Sequence, residues 1–135
     1  MVRETDSAIR HYEESLRLAR ELGDLRSQAI ALDNFGVSEN ARKNYEKALE
    51  MHQRALAIYQ ELGDIPSSSA SLNHMGMVSK NLRRYLDAER YLVSAKEIKE
   101  GLKDRRGLAS VLVNLAVLYA VQERWAEMEQ CTKKA

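Results

Sequence analysis

Apolar residues recur along this chain at helix-like spacing, with charged and amide side chains between them. Between residues 25 and 40 they stand at Ile30, Leu32, Phe35 and Val37, and between 45 and 62 at Leu49, Leu56, Ile58, Tyr59 and Leu62. This spacing follows one face of an α-helix, not the alternation of a strand. Val111-Leu112-Val113 is partly β-branched but sits inside a longer helical stretch, so helix is favoured there too. Gly23 and Gly63 lie just past helical stretches, where a left-handed residue closes a helix at little cost. Asp24, Asp64 and Asp104 then suit the N-cap of the following helix. Pro66 falls in a first turn, where its missing N–H does no harm. The pattern predicts helices over residues 4–22, 25–40, 45–62, 65–80, 85–102, 105–121 and 124–134.

The helices repeat in pairs. Glu21-Leu22-Gly23-Asp24 returns 40 positions later as Glu61-Leu62-Gly63-Asp64, and a degraded copy follows in which Leu102 and Asp104 keep phase. The same interval relates Leu32, Leu72 and Leu112, and also Gly36, Gly76 and Ala116. It relates Tyr45, Tyr85 and Trp125, then Ala8, Ala48 and Ala88 (with Met128 ending that series), then Ala55, Ala95 and Ala135. A fixed period of this length is the mark of a solenoid, whose stacked units present an extended surface.

Composition narrows the partners. The 135 residues fit one domain, and a net charge of +1 with interspersed signs offers no bulk attraction to nucleic acid or a membrane. No apolar stretch suits a signal peptide or a membrane span, and the single Cys131 excludes an internal disulfide. A reducing cytoplasmic setting is the expectation.

The repeated residues resemble the tetratricopeptide repeat, in a longer-period form similar to that of spindle-orientation adaptors and bacterial signalling proteins. Leu32, Leu72 and Leu112 match the fourth motif position; Phe35, Met75 and Leu115 the seventh; Gly36, Gly76 and Ala116 the small eighth, where paired helices meet. Ala8, Ala48 and Ala88 match the alanine of the second helix, and Ala55, Ala95 and Ala135 the later one. Glu39 and Ser79 depart from the tyrosine common at the eleventh position, which only Tyr119 keeps. The resemblance implies one all-α domain over 1–135, a right-handed α-solenoid of antiparallel helix pairs with about seven helices. Its parts are a leading second helix at 4–22, repeats at 25–62 and 65–102, and a partial or terminal repeat at 105–135.

The resemblance also implies a concave face lined by the first helix of each repeat. Projected onto this chain, the lining includes Ile30, Asp33, Asn34, Val37, Asn40, Ala70, Asn73, His74, Met77, Lys80, Asn81, Ser110, Val113, Asn114, Val117 and Val121. Asn34, Asn73, His74, Asn114, Val37, Met77, Val117, Lys80 and Asn81 are the candidate peptide-binding residues. An amide both donates and accepts, so it can hold an extended main chain, and methionine adapts to varied partners. The Lys and Arg of a carboxylate-gripping repeat are missing from the matching positions, so that function is not expected. Val113, Val117 and Val121 form an apolar stripe apart from Leu112 and Leu115, which are assigned to the core. The stripe suits an amphipathic helix or a second copy, or else a following repeat; the polar cap that solenoid ends need favours the last.

Reactive constellations are absent from the pattern. His11, His52 and His74 occupy unrelated motif positions, no zinc-like spacing occurs, and Cys131 has no base at a fixed distance. His52 reads as a packing residue. The basic residues Arg83, Arg84, Lys103, Arg105 and Arg106 read as solvated surface. No cofactor or enzymatic activity is expected. The leading expectation is a scaffold that binds a protein or peptide partner on its concave face; the alternative is a regulatory or self-associating segment of a larger signalling protein.

Overall fold

The computed structural model describes the backbone of residues 2–134 and the side chains of residues 6–124 and Ala126. Among the described residues there are six helices and no strand: α1 (Val2–Leu22), α2 (Leu25–Ala41), α3 (Tyr45–Leu62), α4 (Ile65–Asn81), α5 (Tyr85–Gly101) and α6 (Arg105–Lys134). Five follow the predicted segments to within two residues. The sixth is a correction. Residues 105–121 and 124–134, expected as two helices, form the single helix α6.

The cause lies in how the chain turns. Positive φ values occur at Gly23, Lys43, Gly63, Arg83 and Lys103, every 20 residues. Each closes a helix with two backbone bonds; the Gly63 N–H donates to the Gln60 carbonyl at 3.1 Å and the Asp64 N–H to the Tyr59 carbonyl at 2.9 Å. The same pair recurs at Lys43, where the N–H groups of Lys43 and Asn44 reach Asn40 and Glu39 at 3.0 and 2.8 Å. The next member of the series is Glu123, and there the helix continues. A left-handed conformation costs a residue with a side chain roughly 1–2 kcal/mol. At Val121-Gln122-Glu123-Arg124 the uninterrupted helix avoids that cost, and Gln, Glu and Arg favour helix.

The capping expectations are met at three joints. Asp24 accepts from the Ser27 N–H at 3.1 Å, Asp64 from Ser67 at 3.2 Å, and Asp104 from Gly107 at 2.9 Å. Each cap satisfies one of the orphan donors at a helix start. Serine or glycine at N3 leaves room for the carboxylate, and Ser27 adds its hydroxyl to Asp24 at 2.7 Å.

Packing is sequential. Each helix lies against the next, and the only additional neighbours among the described residues are α2 with α4 and α4 with α6. The core divides into three clusters along the stack: one around Leu32, Phe35 and Ala55, one around Ala48 and Met75, and one around Leu92, Val111 and Leu118. This is the quasi-one-dimensional order of a solenoid, where contacts never reach far along the stack. The small motif residues explain the tightness of the pairs. A Cβ on Gly36 would stand 2.6 Å from the His52 ring, and one on Gly76 2.5 Å from Leu92 Cγ. Ala48, Ala55, Ala88 and Ala95 are fully buried.

One core assignment fails. Leu112 is 44% exposed, whereas its counterpart Leu32 is buried. Because α6 does not fold back, nothing in the described chain covers that side of its first half. The side chains of Trp125, Met128, Cys131 and Ala135 lie outside those described.

Candidate functional site

The first helices of the repeats, α2, α4 and α6, approach one another while α1, α3 and α5 do not. The first helices therefore form one wall of the stack.

Side-chain bonds stitch this wall together at the 41-residue offset of one repeat position to the next position in the following repeat. The Asn81 amide donates to Asn40 Oδ1 at 3.0 Å, and the Asn114 amide to Asn73 Oδ1 at 2.8 Å. Asn73 and Asn114 are thus half-buried partners of each other, yet each keeps unused hydrogen-bonding capacity, since a primary amide carries two donors and an acceptor. Asn34 stands exposed.

The Asn73–Asn114 level has a counterpart one repeat earlier, Asp33 with His74, and there the chemistry is richer. Asp33 accepts from His52 Nδ1 at 2.8 Å on one oxygen and from the Ser71 hydroxyl at 2.8 Å on the other. The His74 ring stacks on His52 with centroids 4.9 Å apart and planes 15° from parallel. Burial lowers the His74 pKa from its usual 6.5, the charge of His52 lowers it further, and Asp33 opposes both. His52 is the packing residue expected, 1% exposed and wedged against Gly36. The trio is not a nucleophile triad: Ser71 gives its hydrogen bond to the carboxylate, so no imidazole is placed to take its proton. Among the described residues no group of three or more His, Cys, Asp or Glu is arranged to hold a metal ion.

Around these polar contacts the wall is apolar. Ile30 and Val37 on α2 and Val113 and Val117 on α6 are exposed, with Val113 the most open at 61%. Met77 and Lys80 on α4, and Val121 on α6, are half-buried. The wall thus alternates uncovered aliphatic surface with amides and one half-buried imidazole. The Asp33 cluster was not foreseen as a unit. Its signal was the 41-residue offset, hidden because Asp and His stand where the next repeat has two asparagines.

Residues 2–61 match the family model described as tetratricopeptide repeat. The match supports a tetratricopeptide repeat family. Among the matching solved structures is the crystal structure of BtubC (BKLC) from P. vanneervenii, with 28% sequence identity and a TM-score of 0.80. It covers 88% of this chain, which spans 49% of that one. No curated protein matches. Tetratricopeptide folds generally mediate protein–protein interaction and are typically non-catalytic. Among the described residues no helix is long and apolar enough to cross a membrane.

Proposed function

We propose that this tetratricopeptide protein is a scaffold whose concave face binds a peptide or helix of a partner protein. The observation that carries the reading is the uncovered apolar surface of Ile30, Val37, Val113 and Val117 beside amides that keep free donors and acceptors. Aliphatic side chains of a guest would cover the valines, and Asn34, Asn73 and Asn114 would take its main-chain groups. Selection from a library of short random peptides tests this. Val37→Glu with Val117→Glu should weaken the selected peptides by at least about tenfold, since burying an unpaired carboxylate is costly. Equal binding by the double variant would remove the groove assignment.

A second reading rests on α6 alone. Val113 and Val117 form an open apolar stripe that suits a second copy of the chain, as in a regulatory segment of a larger signalling protein resembling the longer-period repeat proteins. Light scattering across a wide concentration range discriminates: association abolished by Val113→Asp favours it, and a strict monomer excludes it.

A further inference from the structure

The outer side of the stack carries a second, chemically different surface. Between α1 and α3 lies a groove of about 390 Å³. Its floor is Leu16, Phe35 and Met51, all buried core residues. Its rim carries four cations, Arg17 and Arg20 on α1 and Lys47 and Arg54 on α3, against the two carboxylates Glu13 and Glu21. Residues three apart, or seven apart, share a helix face, so each pair projects together. Arg17 is engaged by Glu21 at 2.9 Å and by Glu14 at 3.7 Å. Arg20, Lys47 and Arg54 make no ion pair among the described residues, and the Lys47 ammonium stands 5.2 Å from the Phe35 ring centroid.

The repeat supplies its own control. One period on, at the junction of α3 and α5, the positions of Arg17, Arg20, Lys47 and Arg54 are held by Ala57, Gln60, Asp87 and Ser94. No cation survives, so the scaffold does not require them. The floor changes too. Met51 becomes Tyr91, whose ring packs against the cluster of Ala48, Leu49, Met75 and Val78. The first junction therefore carries four rim cations over an apolar floor, where the second has none at the matching positions.

We propose that this outer groove docks an acidic segment of a partner protein, with one apolar side chain on the Leu16–Phe35–Met51 floor and flanking carboxylates on Arg20, Lys47 and Arg54. An apolar floor gives a phosphate or other bare anion nothing to bury, whereas a carboxylate-flanked aliphatic side chain satisfies floor and rim together. The rim stands on α1 and α3, and only the floor residue Phe35 comes from α2, so the site does not depend on the concave face.

The test is fluorescence anisotropy on the full chain with a labelled peptide of Asp and Glu around one central Leu. Binding should weaken steeply with salt and fall by at least about tenfold in Arg20→Glu/Lys47→Glu, as two reversed rim charges imply. Met51→Tyr places in the groove the residue that its own second junction tolerates, so it should fold and also lose the peptide. Val37→Glu should bind as the parent protein does. The proposal is overturned if the acidic peptide does not bind or if both groove variants bind it unchanged. It is equally overturned if a peptide with Lys for the acids or Gly for the Leu binds as tightly, if inorganic phosphate competes as well as the peptide, or if excess unlabelled protein strips the peptide by pairing with itself.

Discussion

Two helical glycines of this chain differ in what a side chain would meet. At Gly36 an added methyl would collide with an imidazole that Asp33 holds in place, so Gly36→Ala should cost about 1–3 kcal/mol in a denaturant titration. At Gly101, the last residue of α5, nothing lies within 4 Å and φ is not positive. Gly101→Ala should therefore stabilise by about 0.5–1 kcal/mol in the same titration, through the chain entropy that glycine loses on folding. His74 gives a pH test at the same scale. Its folded pKa lies below the 6.5 of the unfolded chain, so the folded state holds fewer protons between those values. Its contribution is complete above pH 6.5 and declines as pH falls through that value toward the folded pKa. Burial is the largest cause of the shift, the charge of His52 adds to it, and Asp33 opposes it. Denaturation midpoints recorded from neutral to mildly acidic pH should fall more steeply in the parent than in His74→Gln.

The helices are defined by their joints. Their 40-residue period was legible because glycine and aspartate repeat at alternate joints, but the backbone repeats every 20 residues, with Lys43, Arg83 and Lys103 doing what Gly23 and Gly63 do. Those three were illegible because lysine and arginine carry no preference for the left-handed region; they are held there by the helices they join. Arg83→Gly should relieve that strain and stabilise by about 1 kcal/mol, read as a higher midpoint in chemical denaturation. The cap at α4 is a second target. Asp64 accepts from Ser67 and pairs with Arg26 across the repeat, and these partners hold its carboxyl below the usual 3.8. Asp64→Ala should cost about 1 kcal/mol. The contribution of Asp64 is present above pH 3.8 and is lost as pH falls through its lowered pKa, so the variant should show a shallower acid limb.

At the scale of the whole molecule, side-chain bonds between first helices fix the spacing of the stack. Ser71 to Asp33, Asn81 to Asn40 and Asn114 to Asn73 each cross from one repeat to the next. The fold presents two faces of different character: the aliphatic and amide wall of α2, α4 and α6, and the basic groove between α1 and α3. Asn40 with Asn81, and Asn73 with Asn114, meet across neighbouring first helices. Their pairing was not readable, because the phase places Asn73 and Asn114 on one wall without saying that one amide is turned onto the other. Leu112 shows the opposite failure. Its repeat position reads as core, but core is conferred by a covering helix, and α6 runs straight on where α2 and α4 turn back.

The sequence by itself determined the helical class, the repeat period and the caps at Asp24, Asp64 and Asp104. These depend on local preference and on periodicity, which a linear pattern carries in full. Only the tertiary structure decided the unbroken course of α6, the stacking of His74 on His52 beside Asp33, and the opening between α1 and α3. Each of these depends on which side chains from different helices compete for the same space, and that competition exists only once the stack is formed.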